Sequence, residues 1–327
     1  MKRPSQVALG AAMLTLASIV PAILPNPVGA VTLQADTPAN QVSYRSETID
    51  GLKLAYREAG DPARPTVLLL HGFPTSSHMF HNLIPRLADH YHVLAPDFPG
   101  FGASDMPQAA DFEYSFARIA RMTTALLDRK GVGRYAVYVM DYGAPVGYRM
   151  FAADPERVSG FIIQNGNAYE EGLREFWDPI KAYWAEPSAA NGDKLRGFLG
   201  LEATKWQFTH GTKNPEAINP DNYWHVQYLL DRPGNQEVQL ELFLDYGTNV
   251  GEYSKWQALF RQYQPPALLM WGKNDPIFPE EGAHPYKRDL KDLEFHLLDT
   301  GHFALEEYGP QIAERMLSFL ARIEKVN

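Results

Sequence analysis

The run Tyr135-Ala-Val-Tyr-Val-Met-Asp-Tyr-Gly-Ala144 decides how this chain is expected to fold. Residues 135–140 form a continuous run of the kind typical of a strand buried on both faces of a sheet. Asp141 follows at once, and a helical pattern begins at Gly143. A tight turn from strand to helix exposes its central residue at the end of the sheet, and it needs a small residue two positions later. Gly143 meets that need, so the stretch predicts that Asp141 stands at such a turn.

Similar runs flank this stretch on both sides. Further buried-strand runs cover residues 66–70, 92–96, 158–163, 267–271 and 293–298. Helical patterns lie among them, at residues 115–129, from residue 143 onward and at residues 310–323. An Asp50-Gly51 turn between residues 42–47 and 52–58 predicts a hairpin ahead of these elements. Strands that alternate with helices indicate an α/β fold with a mostly parallel central sheet and helices on both faces.

The alternation stops between residues 165 and 264. This segment has no buried-strand run and is rich in Trp, Tyr, Phe, Asn and Pro, with helix-like pieces. Because it falls between two expected sheet strands, we predict an inserted helical cap over the strand ends. The predicted domains are the first part of the core at residues 31–164, the cap at 165–264 and the second part of the core at 265–327.

Residues 1–30 are predicted to be a secretory signal peptide. Lys2-Arg3 gives a basic start, residues 7–23 are largely apolar, and Val28-Gly29-Ala30 has the small-x-small pattern that signal peptidase cleaves. The alternative is an uncleaved membrane anchor, but the apolar run is short for a span and contains a proline. We therefore expect an exported protein, periplasmic or secreted, with no membrane contact after the signal is removed.

Composition excludes several classes of function. Lys+Arg 30 against Asp+Glu 39 gives a formal net charge of -9, and loss of Lys2 and Arg3 with the signal leaves 28 basic against 39 acidic residues, or -11. An acidic chain is a poor partner for nucleic acid or anionic lipid. With 0 cysteines, thiol nucleophiles and thiolate metal sites are excluded. There is no His-Glu-x-x-His pattern and no phosphate-binding glycine-rich loop, so neither a metal nor an organic cofactor is expected.

A carboxylate at the strand-to-helix turn determines the expected reaction. Asp141 needs no base to become a nucleophile, because a carboxyl with the reference pKa of about 3.9 is ionised at neutral pH. It suits displacement of a leaving group from a saturated carbon, which gives an ester between Asp141 and the substrate. Water must then attack the carboxyl carbon of Asp141, and that step needs a base and donors for an oxyanion.

The residues for this second step also follow predicted strands. His302 comes after the last buried-strand run and Asp275 after the run before it, so both are expected at the same sheet edge as Asp141. His302 would deprotonate water, and Asp275 would hold the histidine tautomer. The backbone N–H groups of Phe73 and Tyr142 would form the oxyanion hole. Taken singly, Asp141 could cap a helix, His302 could be structural and Asp275 could start a turn.

Four stretches carry a resemblance to a known family: His71-Gly-Phe-Pro-Thr-Ser-Ser77, Pro96-Asp-Phe-Pro-Gly-Phe-Gly-Ala-Ser-Asp105, Asp141-Tyr-Gly143 and Gly301-His-Phe303. With them the chain resembles the Asp-nucleophile branch of the α/β-hydrolase superfamily, which holds epoxide hydrolases and haloalkane dehalogenases. The resemblance covers roughly the whole mature chain except the cap. It implies the α/β-hydrolase fold, in which nucleophile, acid and histidine follow one another in the order found here.

The two groups of that branch imply different ways to hold a leaving group. Dehalogenases typically bind the halide through N–H donors, but Phe73 has no side-chain donor and Tyr142 offers a hydroxyl. A cap tryptophan such as Trp177 or Trp184 would have to serve.

Epoxide hydrolases commonly have an aromatic residue where Phe73 stands, and they use cap tyrosines to protonate the opening oxygen. Tyr183 and Tyr246 are the candidate donors here. The resemblance therefore favours hydrolysis of an epoxide to a diol, with a small, mainly apolar organic molecule and water as partners. The alternatives are a haloalkane dehalogenase and, in another class, a non-catalytic protein that binds a small ligand on a hydrolase fold.

Overall fold

The computed structural model describes residues 41–325, and the predicted signal peptide at residues 1–30 lies outside them. The strands are β1 (Ser43–Ile49), β2 (Leu52–Ala59), β3 (Thr66–Leu70), β4 (His92–Pro96), β5 (Tyr135–Met140), β6 (Val158–Gln164), β7 (Ala267–Gly272) and β8 (Leu293–Leu298). The α-helices are α1 (Ile84–Leu87), α2 (Phe116–Arg129), α3 (Gly143–Ala153), α4 (Asp178–Ala185), α5 (Ala189–Leu195), α6 (Leu201–Thr209), α7 (Pro220–Leu230), α8 (Asn235–Tyr263), α9 (Tyr286–Asp289) and α10 (Ala304–Glu324).

The strands form one sheet in the order β1-β2-β4-β3-β5-β6-β7-β8. β1 and β2 pair antiparallel, as predicted for the hairpin around Asp50-Gly51, and β2 is antiparallel to β4. From β4 to β8 all neighbouring strands are parallel, which confirms the predicted mostly parallel sheet. The carboxyl ends of parallel strands share one edge, so the residues that follow β3, β5, β6, β7 and β8 meet there.

Helices cover both faces of this sheet. Successive strand residues point to opposite faces. In β3, Leu68 and Leu70 join an apolar cluster that includes residues of α2, α3 and α8, whereas Val67 and Leu69 join a cluster that includes residues of α1 and α10. This arrangement confirms the predicted two-sided packing. Truncation of a fully buried leucine such as Leu68 to alanine costs about 2–5 kcal/mol of stability.

The segment between β6 and β7 is helical. α4 to α8 and several short 3-10 helices lie there, and no strand interrupts them in this described stretch. The last of these helices, α8, runs without a break through 29 residues. Its Phe243 packs against Phe73 at the sheet edge, whereas its Phe260 packs against Phe161 of β6. One helix thus links the helical segment to the face of the sheet that α3 covers. The division into a core and a cap at residues 165–264 remains a prediction.

The C-terminal helix begins earlier than the sequence indicates. The prediction covers residues 310–323, but α10 starts at Ala304 and contains Pro310 in its interior. Ala304 is buried, and Phe303 stacks on Phe208 with ring centroids 4.3 Å apart. Tertiary packing therefore extends the helix toward His302 against local preference.

None of the helices within residues 41–325 has the length and apolar character needed to cross a membrane.

Candidate active site

Asp141 occupies a strained turn between β5 and α3. Its φ angle is 49°, in the left-handed region that residues other than glycine rarely adopt. Gly143 opens α3 so close to β3 that a Cβ there would lie 2.3 Å from the Leu70 carbonyl oxygen. A Cβ on Gly72 would lie 2.4 Å from the Cβ of Asp141. The two glycines therefore allow the backbone to close around the Asp141 carboxylate.

Two backbone donors hold that carboxylate. The N–H groups of Phe73 and Tyr142 donate to the same oxygen, Oδ1, over 2.6 Å and 2.5 Å. These are the two groups predicted to form the oxyanion hole, and the structure brings them together. Asp141 is 4% exposed, and burial raises the pKa of its carboxyl to about 6, although the charge of His302 and the two hydrogen bonds oppose the shift. The carboxylate remains the main form at pH 7.

His302 and Asp275 lie beside Asp141 at the same sheet edge. His302 Nδ1 is 2.7 Å from Asp275 Oδ2, so this nitrogen carries a proton and donates a hydrogen bond to the carboxylate. His302 Nε2 lies 3.8 Å from Asp141 Oδ2 and makes no hydrogen bond to the described residues. Burial lowers the pKa of His302, but the charge and hydrogen bond of Asp275 and the charge of Asp141 outweigh it, so the net pKa is raised. The structure thus brings all three predicted side chains together.

Asn165 joins this group, and sequence reasoning did not identify it. It directly follows β6, has a φ angle of 40° and is fully buried. Its side-chain amide donates to Asp275 Oδ2 over 2.8 Å, and its backbone carbonyl accepts the N–H of Asp141 over 3.3 Å. The prediction placed this residue at the start of the cap. Its position just after a buried parallel strand is the signal that could have found it, because site residues gather there.

A group of aromatic side chains adjoins the site, since Phe73 and Tyr142 flank the Asp141 carboxylate and the Phe278 ring centroid lies 6.0 Å from that of His302. We call the following six residues the aromatic wall: Phe73, Tyr142, Trp177, Phe243, Tyr246 and Phe278. Neighbouring rings in the wall have centroids 4.6 to 6.0 Å apart. The hydroxyls of Tyr142 and Tyr246 are buried and make no well-formed hydrogen bond to the described residues, although the Tyr253 hydroxyl lies close to that of Tyr246. The wall is therefore largely apolar, with a hydroxyl group on each of its two tyrosines.

The two tryptophans considered as halide donors already have partners. The indole N–H of Trp177 donates to the Ile277 carbonyl, and that of Trp184 donates to the Phe243 carbonyl, both over 2.7 Å. A halide bound by either indole would have to displace one of these hydrogen bonds. The buried carbonyl left behind would then lack a donor, which costs about 1–3 kcal/mol.

The two predicted proton donors lie in different places. Tyr246 is fully buried in the aromatic wall; burial raises the pKa of its hydroxyl well above the ordinary value, and the charges of Tyr253 and Asp141 add to the shift. Tyr183 instead packs beside Gly192 of α5, and burial raises the pKa of its hydroxyl, with a further contribution from the charge of Glu237. Its described contacts do not include Asp141. The role of Tyr183 as a proton donor stays a prediction.

The groups at the site are a carboxylate, an imidazole, backbone donors and phenol hydroxyls, which suit covalent catalysis by a carboxylate. Within residues 41–325, no group of three or more histidine, aspartate or glutamate side chains is arranged to hold a metal ion. The expectation that the protein works without a metal or organic cofactor remains a prediction.

The sheet, the strained turn and the groups at its edge together define a hydrolase of the α/β type. The chain belongs to the alpha/beta hydrolase fold family, whose model matches residues 65–308. The fold and the superfamily expected from the sequence are thereby confirmed.

Three similar proteins illustrate the range of this family. An uncharacterized hydrolase of Saccharomyces cerevisiae is 42% identical over 282 residues, which cover 85% of this chain and 97% of the yeast protein. A haloalkane dehalogenase of Mycolicibacterium paratuberculosis is 25% identical over 287 residues, which cover 82% of this chain and 87% of that one. The solved structure of the epoxide hydrolase CorEH superposes with a TM-score of 0.70 and 17% identity, over 86% of this chain and 100% of CorEH, which shows a shared fold.

Proposed function

We propose that this hydrolase converts an epoxide into a diol through a covalent ester on Asp141. The observation that carries the proposal is a carboxylate held by two backbone N–H groups, together with the buried hydroxyl of Tyr246 in the adjoining aromatic wall, which lies close to the Tyr253 hydroxyl. Opening an epoxide needs a nucleophile for its carbon and a proton donor for its oxygen. The apolar wall suits a small, uncharged organic substrate.

In the first step, Asp141 Oδ2 attacks an epoxide carbon. The N–H groups of Phe73 and Tyr142 fix Oδ1, which leaves Oδ2 as the nucleophilic oxygen. The carbon–oxygen bond of the epoxide breaks, and Tyr246 gives its hydroxyl proton to the departing oxygen. Because burial raises the pKa of Tyr246, the proton moves only as negative charge develops on that oxygen. The product of this step is a hydroxyalkyl ester of Asp141.

In the second step, His302 activates water. Its Nε2 takes one proton from water, and the water oxygen attacks Asp141 Cγ. Negative charge develops on Oδ1, which already faces the two backbone donors. The bond between Cγ and Oδ2 breaks, and His302 returns its proton to the departing diol oxygen. The second water proton, left on Asp141, passes through solvent to restore the Tyr246 hydroxyl.

Formation of the ester also prepares His302 for its role. In the free enzyme, the charge of Asp141 contributes to the raised pKa of His302. The ester is neutral, so this contribution disappears, and a larger fraction of His302 adopts the form that accepts a proton. Nucleophile and base can therefore act in sequence.

Haloalkane dehalogenation is the second candidate function, and the similarity to the haloalkane dehalogenase of Mycolicibacterium paratuberculosis favours it. The same ester chemistry would release a halide in place of a protonated oxygen. Against it stand the indole N–H groups of Trp177 and Trp184, which donate to backbone carbonyls. The third hypothesis is a non-catalytic ligand-binding protein. It does not explain why Asp141, His302 and Asp275 lie together, because ligand binding alone needs no such set.

A paired assay separates these candidates. The purified protein is supplied with styrene oxide-type epoxides and with brominated alkanes, and diol formation and halide release are followed in parallel. We expect diol without halide. Halide without diol would support the dehalogenase, and tight binding without turnover would support the ligand-binding protein.

Variants of two tyrosines test the assigned donor in the same assay. Tyr246→Phe should lower kcat for diol formation by about 10²- to 10⁴-fold, the usual contribution of a general acid. Tyr228→Phe is the matched control, because this tyrosine of the same helical segment is 76% exposed, and its kcat should equal that of the unmodified protein. Unchanged diol formation by Tyr246→Phe would remove Tyr246 from the mechanism.

We further propose that the chain is exported and that residues 1–30 are removed. The basic start, the apolar run and the small residues before position 31 support this proposal. N-terminal sequencing of the protein from an expressing culture tests it. A start just after Ala30 is expected, and a start at Met1 would contradict cleavage.

A further inference from the structure

The side chain of Asn165 contacts Asp275, the carboxylate that accepts a hydrogen bond from His302. We propose that Asn165 is a positioning residue whose amide fixes Asp275, so that His302 is aligned as the base for ester hydrolysis. The kinetic part of this inference rests on the proposed function, whereas its structural part concerns the Asn165–Asp275–His302 contacts alone.

The Asn165 amide is held like an additional peptide group between β6 and β7. The last paired residues of these strands are Ile163 and Leu269. Beyond them, the N–H of Gly272 donates to Asn165 Oδ1 over 2.8 Å, and Asn165 Nδ2 donates to the Gly272 carbonyl over 3.1 Å. This exchange fixes the direction of the amide, because only its nitrogen end can face a carbonyl oxygen.

The same nitrogen reaches the carboxylate of Asp275. Nδ2 of Asn165 donates to Asp275 Oδ2 over 2.8 Å, and His302 Nδ1 donates to that same oxygen over 2.7 Å. The backbone N–H of Ile277 donates to Oδ1 over 2.8 Å. Three donors therefore hold a buried carboxylate in one orientation, and His302 is aligned against it.

Asparagine meets several demands at this position together. A carboxylate could only accept hydrogen bonds, and here it would face Asp275 and the Gly272 carbonyl. Glutamine would place an extra methylene in a fully buried position. The φ angle of 40° also favours asparagine or glycine over other residues. These constraints explain the residue type without reference to substrate contact.

Asn165 also touches the nucleophile, but through its backbone. Its carbonyl accepts the N–H of Asp141 over 3.3 Å. Substitution of the side chain keeps this carbonyl, so the effect of a variant can be assigned to the contact with Asp275. Because Asp141 attacks without a base, the loss of that contact should leave ester formation intact and slow ester hydrolysis.

Two variants and a control test this separation. Asn165→Gly removes the amide and tolerates the left-handed backbone, whereas Asn165→Asp keeps the shape and replaces the donor by a carboxyl group. Asn249→Ala is the control, because it removes another fully buried asparagine, whose hydrogen bonds are to Arg149. Rapid-quench kinetics with an epoxide that is turned over measure ester formation and hydrolysis separately. We expect Asn165→Gly to slow hydrolysis about 10- to 100-fold, with ester formation unchanged.

The pH dependence provides a second readout. The charged groups that face His302 are Asp275 and Asp141. Asn165→Asp adds a carboxyl group within hydrogen-bond distance of Asp275, and the added negative charge should hold the proton on His302 to higher pH. We expect the acid limb of ester hydrolysis, and the titration of the His302 imidazole followed by NMR, to move upward by about one pH unit. The NMR titration needs no substrate.

The outcomes separate this inference from the proposed function. If the unmodified protein turns over no epoxide, the proposed function fails, and the NMR titration still tests the coupling. Equal slowing of ester formation and hydrolysis in Asn165→Gly, or an unmoved His302 titration in Asn165→Asp, would overturn the positioning role. The control Asn249→Ala should lose stability and keep both rate constants.

Discussion

Replacing Asp141 by asparagine should abolish catalysis and stabilise the fold. The buried carboxyl of Asp141 has its pKa raised from 3.8 to about 6 because burial penalises the charged form. In the unfolded chain this group ionises near its ordinary pKa, so the folded state binds the proton more tightly. Ionised Asp141 therefore lowers the stability of the fold. This cost is fully present above about pH 6, decreases as the pH falls, and disappears below about pH 4.

The size of the effect follows from the two pKa values. Each unit of difference corresponds to about 1.4 kcal/mol, so the cost at pH 8 is about 3 kcal/mol and at pH 5 about 1.5 kcal/mol. Asparagine keeps an oxygen for the N–H groups of Phe73 and Tyr142 and carries no charge. Asp141→Asn should thus exceed the unmodified protein in free energy of unfolding, by a margin about 1.5 kcal/mol larger at pH 8 than at pH 5.

Denaturant unfolding of both proteins at the two pH values measures this margin. Asp111→Asn is the control, because Asp111 is exposed and the change should alter the free energy of unfolding by less than about 0.5 kcal/mol at either pH. An Asp141→Asn variant that is less stable than the unmodified protein at pH 8, or whose margin does not depend on pH, would refute the reasoning from burial.

Three further predictions concern the same site. His302→Gln should form the ester but not hydrolyse it, so mass spectrometry should find substrate attached to the peptide that contains Asp141; with a confirmed substrate, the absence of an adduct counts against the two-step mechanism. The value of kcat/KM should decrease as the pH falls below about 6, because Asp141 becomes protonated, and a profile that stays flat to pH 4 would contradict this assignment. Gly143→Ala should lower the free energy of unfolding by about 1–3 kcal/mol, because its Cβ would lie 2.3 Å from the Leu70 carbonyl oxygen; unchanged stability in a melting experiment would show that the turn can relax.

Much of this architecture could be predicted because it depends on patterns that are local in the sequence. Buried strands appear as continuous apolar runs, and Asp141, Asp275 and His302 each follow one of them. Parallel strands bring such residues to one edge whatever the details of packing. The meeting of these three side chains therefore followed from strand order.

Other features depend on contacts between distant segments and could not be read from the sequence. Asn165 looked like the first residue of a polar insertion, because its partners Gly272 and Asp275 lie more than one hundred positions away. The orientation of Tyr183 and the partner of the Trp177 indole likewise depend on how the helices pack. Residue type alone did not distinguish Tyr183 from Tyr246, which lies in the aromatic wall.

A single turnover in water enriched in ¹⁸O tests the covalent ester most directly. With enzyme in excess over the epoxide, attack of water on Asp141 Cγ puts the solvent oxygen into the enzyme, and the diol leaves with the oxygen that was Oδ2. The first diol should therefore be unlabelled, and the peptide that contains Asp141 should gain ¹⁸O. Labelled diol with an unlabelled Asp141 peptide would mean that water attacks the epoxide itself, and it would contradict the role given to Asp141.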